Sequence, residues 1–95
     1  MSQFDRGGKG LTNEKRHPYI VELAVTADGL DVGLSRRIIN FHKSLRIELR
    51  FGRRILRDEQ NYYRWCFSDL ATARAFIKQF GGQVCDAPED THEAL

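Results

Sequence analysis

Residues 62–82 read YYRWCFSDLATARAFIKQFGG, and the change of period inside this stretch decides the fold. Tyr63, Trp65 and Phe67 alternate with Tyr62, Arg64 and Cys66, the period of two that turns one face of a strand toward a core. Ser68 and Asp69 then offer capping oxygens, and Leu70, Ala73, Ile77 and Phe80, with Phe76 beside them, form the stripe of an amphipathic helix. Gly81 and Gly82 end that helix. Gln83–Cys85 returns as a short strand.

Upstream, the polar run Arg57–Asn61 predicts a hairpin loop that joins this strand to an earlier one. In Arg46–Phe51, Ile47, Leu49 and Phe51 alternate with Arg46, Glu48 and Arg50, again at period two. Gly52 interrupts the run and predicts a bulge, which reverses the facing of the residues after it. Leu34, Ile38, Phe41 and Leu45 are spaced as a helix of about three turns capped by Asp31, with His42 at the border of its apolar stripe. In Tyr19–Thr26, YIVELAVT, one side carries Tyr19, Val21, Leu23 and Val25, and the other Ile20, Glu22, Ala24 and Thr26. Strand, helix, strand, strand, helix, strand in this order predicts an α+β fold. The expected form is a two-layer ferredoxin-like βαββαβ sandwich, a four-stranded antiparallel sheet with both helices on one face.

Composition bounds the rest. Ninety-five residues, 41% hydrophobic and 29% charged, fit a single α+β domain over 18–86. Residues 1–17, with Gly7, Gly8 and Gly10 among polar side chains, read as a flexible N-terminal tail, and 87–95 as a disordered acidic tail. No apolar run approaches the roughly 20 residues that span a bilayer, so no membrane partner is expected and the cytoplasm is the expected compartment. Cys66 and Cys85 have no CxxC spacing and no adjacent histidine, which points to free thiols and no metal. Neither a Ser-His-Asp nor a Cys-His arrangement is legible, and no strand leads the glycines into a phosphate loop. The expectation is therefore a protein that is not an enzyme and holds no cofactor.

Function then rests on the sheet face that the two helices leave uncovered. Its candidate binding residues are Arg46, Arg50, Tyr62 and Arg64. Eleven of the fifteen basic residues are arginine, suited to planar contact with carboxylate or phosphate. Glu22 and Glu48 share that face, and cross-strand pairing with the arginines is the ordinary use of such a surface. The leading expectation is an interaction or homo-oligomeric regulatory module, with a protein partner or a second copy on the open face or a sheet edge. The alternative is single-stranded nucleic acid, RNA above all, with Tyr62 stacking on a base and the arginines on phosphates.

Residues 62–82 resemble the third strand and second helix of an RNA-recognition motif: an aromatic strand, an acidic turn, an alanine-rich helix and a glycine. The resemblance implies RNA on the sheet face. It departs from that motif at Arg64, which stands near a second stacking position, and at Ile20 and Glu22, where the first strand offers no ring. Small-molecule-sensing ACT domains are similar in strand and helix order alone.

Overall fold

The computed structural model describes residues 2–85, with side chains from Lys9 onward. Seven elements succeed one another: α1 (Ser2–Arg16), β1 (Tyr19–Val25), α2 (Val32–Leu45), β2 (Ile55–Arg57), β3 (Gln60–Phe67), α3 (Leu70–Phe80) and β4 (Gln83–Cys85). The fold is α+β, with a four-stranded antiparallel sheet in the order β2-β3-β1-β4. Three helices accompany it, where two were expected. The third, α1 at Ser2–Arg16, lies within the segment 1–17 expected as a flexible N-terminal tail; the acidic tail at 87–95 lies outside the described residues.

Both remaining helices have the caps their sequences announce. The Asp31 carboxylate accepts from the Leu34 N–H at 3.1 Å, and Asp69 accepts from the Thr72 N–H at 2.9 Å and from its hydroxyl. Arg46 closes α2 in the left-handed region at φ 57, and Gly81 closes α3. Val21, Trp65 and Phe67 face Ile38 and Phe41 of α2 and Ala73 and Phe76 of α3, all buried, in one core. Trp65 is its centre, fully buried with its ring 5.2 Å from that of Phe76.

The expected strand at Arg46–Phe51 is corrected. Because the left-handed cap turns the chain at Arg46, Ile47 and Leu49 pack against the core from an irregular segment. Pairing with β3 begins only at Arg50, whose carbonyl accepts from Cys66 N–H at 2.9 Å, and at the Phe51–Trp65 bridge. Phe51 opposes Trp65 and Ile55 opposes Tyr62, so four steps on one strand match three on the other. This is a one-residue bulge at Gly52–Arg54, and it turns Ile55 and Arg57 onto the face of Tyr62 and Arg64.

That face is the one expected to be open, and α1 lies on it. Gly10, Asn13, Glu14 and His17 recur at three- and four-residue spacing and all reach the bulge side of the sheet. A Cβ on Gly10 would sit 3.1–3.2 Å from the backbone of Gly52 and Arg53, so a larger residue there would push the helix and the bulge apart by a few tenths of an ångström. Asn13 Nδ2 donates to the Phe51 carbonyl at 2.8 Å, and His17 Nδ1 lies 2.8 Å from Ser68 Oγ.

Candidate functional site

Cross-strand register brings opposite charges together under α1. β1 and β3 place Glu22 directly beside Arg64, and the bulge delivers Arg57 to the same face. Arg64 donates to both acids, through Nε to Glu22 at 3.1 Å and through Nη1 to Glu14 at 3.1 Å, and its Nη2 forms an ion pair with Glu22 at 3.0 Å. Arg57 takes Glu22 with both terminal nitrogens, at 3.1 and 2.8 Å, while its guanidinium lies 4.6 Å from the centre of the Tyr62 ring. Arg53 holds Glu14 by its guanidinium and by its backbone N–H at 2.7 Å.

The two carboxylates are buried, with side-chain exposures of 0% for Glu14 and 1% for Glu22. Burial opposes the charge on Glu14, yet hydrogen bonds from Arg53 and the charge of Arg64 outweigh it and hold the carboxyl below its ordinary value. Glu22 is lowered first by Arg57, against its burial, with help from Arg64. Both acids are therefore ionised at neutral pH. Three arginines against two carboxylates leave the network with one excess positive charge.

A groove of about 660 Å³ runs between α1 and the bulge segment. Its cations are Lys9, Arg53, Arg54 and Arg64; its apolar walls are Leu49, Phe51 and Tyr63. Among the described residues no carboxylate lines it. Phe51 is 44% exposed, and the Arg54 guanidinium lies 5.1 Å from the centre of the Tyr63 ring. A second hollow of about 370 Å³, lined by Arg46, Glu48, Arg50 and Asp69 among others, mixes both signs.

The four expected binding residues thus divide between two places. Arg46 and Arg50 line the mixed hollow, where Arg50 pairs with Glu48 at 3.0 Å. Tyr62 and Arg64 lie on the α1 face, the first beneath Arg57 and the second only 12% exposed between its two acids. Lys9, Phe51, Arg53 and Arg54 were not singled out from the sequence. The bulge at Gly52 was their signal, since it shifts the facing of Arg53 and Arg54.

Among the described residues no group of three or more His, Cys, Asp or Glu is placed to hold a metal ion, and no helix is long and apolar enough to cross a membrane. Burial, with the nearby Glu14 charge, pushes the Cys66 thiol up to about 12, and burial together with Glu22 takes Cys85 to about 11. Both thiols stay protonated at neutral pH. The chain matches no protein-family model, no curated protein and no solved structure.

Proposed function

We propose that this chain is a non-catalytic binding domain for single-stranded nucleic acid, RNA in the first instance, and that the ligand lies in the groove between α1 and Leu49–Arg54. The observation that carries the reading is the groove's lining, which among the described residues brings four cations and two aromatic rings together. Single-stranded binding surfaces use that combination, since rings accept any base and cations track the backbone. Glu14 neutralises part of Arg53 and Arg64 from behind, which leaves Lys9 and Arg54 as the cations most available to phosphate. A volume near 660 Å³ suits one or two nucleotides.

We also read the six elements after α1 as a ferredoxin-like βαββαβ unit, to which α1 adds a cover on the second face. The central positions of β1 and β3 support this. The free thiols of Cys66 and Cys85 favour a reducing, cytoplasmic setting.

Affinity for a short oligouridylate, measured across a salt series, tests the binding reading. Phe51→Ala should lose about 1–3 kcal/mol of affinity with an unchanged salt slope, and Arg54→Ala should lower the slope by about 0.7. No binding at low salt, or unaltered binding by both variants, would reject it.

Self-association is the second reading, favoured by Leu56 and Val84, which are 69% and 43% exposed on the two outer strands. Each of those strands has only three residues, a short template for a partner strand. A dimer in solution that neither salt nor oligonucleotide disturbs would make this the better account.

A further inference from the structure

We infer that Glu14 occupies an anion cradle that accepts a phosphoryl group when α1 withdraws, so that α1 is a displaceable lid on the sheet. The cradle shares Gly52, Arg53 and Arg64 with the groove wall, but the inference concerns the face of those residues that Glu14 occupies and does not require a strand to lie in the groove.

The cradle is built from two arginines and one peptide. Arg53 N–H donates to Glu14 Oε2 at 2.7 Å, Arg53 Nη2 and Arg64 Nη1 reach Oε1 at 2.9 and 3.1 Å, and Arg53 Nε lies 3.2 Å from both oxygens. Forked guanidinium donors with a backbone N–H recognise carboxylate and phosphate through the same geometry. Gly52 completes it: a Cβ there would lie 2.7 Å from Glu14 Oε2, so glycine alone lets an oxyanion approach the backbone. Tyr62 and Arg57 stand on the same sheet face, and Arg57 holds its position through Glu22 rather than through α1.

The helix that supplies Glu14 is weakly committed to its place. Gly7, Gly8 and Gly10 lower its intrinsic helicity, and among the described residues, Lys9–Arg16 of this helix, none belongs to the buried apolar core. Its described contacts with the sheet are polar: Asn13 on a carbonyl, His17 on Ser68 and Glu14 in the cradle. Elements tied by few apolar contacts open at low free energy. A phosphoryl group that satisfies the same donors removes the main reason for α1 to remain.

Chemical rescue tests this. Glu14→Ala should unfold at a lower temperature than wild type. Inorganic phosphate should raise its midpoint by roughly 5–10 °C when tenfold above its dissociation constant, with chloride at equal ionic strength ineffective. Over the same titration the amides of α1 should lose protection from hydrogen exchange. Glu14→Gln, which keeps the side-chain volume, should respond in the same direction. A short oligouridylate in place of phosphate separates the sources: rescue by both assigns the cradle to backbone diesters as well, and rescue by phosphate alone assigns it to free phosphate. Equal effects of chloride and phosphate, increased protection of α1, or two variants that stay unfolded in phosphate would each overturn the inference.

Discussion

Glu14 and Glu22 place two ionised carboxylates where water barely reaches, and Arg64 serves both. Breaking a buried pair costs more than the pair contributes, because the charge left behind loses its partner. Arg64→Leu strips both acids of a shared donor at once and should cost about 3–5 kcal/mol in denaturant unfolding, whereas replacing an exposed arginine such as Arg36 should cost almost nothing. The pH dependence arises from the same contacts. Both carboxyls titrate below their ordinary value when folded, so the unfolded chain takes up protons first as pH falls. Stability from this network is complete above the ordinary glutamate range of about 4.3 and is lost as pH drops through the lower folded values.

His42 adds a second acid sensitivity at higher pH. Its ring is buried and stacked on Phe67 at 5.5 Å, Nδ1 lies 2.8 Å from the Ile38 carbonyl, and among the described residues Nε2 has no hydrogen-bond partner. Burial lowers its pKa, against the raising effect of Ile38. The neutral form is therefore the folded form, and stability should decline as pH falls below about 6.5 and the unfolded histidine protonates. His17 is lowered as well, by burial and by the charges of Arg50 and Arg16, so unfolding of His42→Leu monitored over that window should show a smaller decline; an unchanged decline would place its cause elsewhere.

At the scale of elements, the β2–β3 hairpin carries an unusual turn. Asp58 and Glu59 both have positive φ, 53 and 65, the conformation that two-residue hairpins favour and side chains with a Cβ resist. Glu59→Gly should raise stability by about 1 kcal/mol in chemical denaturation. Destabilisation instead would show that the Glu59 side chain holds the turn.

Parity in β1 and β3 was legible throughout, since each strand has one apolar face and the core selects it; Trp65 and Val21 are direct examples. The alternation in Ile47–Phe51 was equally visible, but it reports which side chains face the core and not whether the backbone pairs. Only the bulge at Gly52 pointed to the break. Helix α1 escaped because the described part of its inner face is Gly10, Asn13 and Glu14, continued by His17 just past its end, and an apolar stripe is what helical periodicity detects. For that reason the facing of Tyr62 and Arg64 was readable while their partners were not. Arg64's acid on α1 comes from a segment fifty residues away.

Across the whole molecule, these parts set opposite roles for the two sheet faces. One is filled by α2 and α3 and holds the rings that make the domain stable. The other carries charges, a bulge and a helix seated on polar contacts, with the groove at its margin. Net charge is only +2, so any preference for a polyanion must come from this local arrangement of cations and not from a long-range field. Amide chemical shifts of isotope-labelled protein, titrated with a short oligouridylate at low salt, locate such a preference directly. Perturbations should concentrate at Lys9, Phe51–Arg54 and Tyr63 if the groove binds the strand. Perturbations at Arg46, Arg50 and Thr72, or none at any concentration, would contradict groove binding.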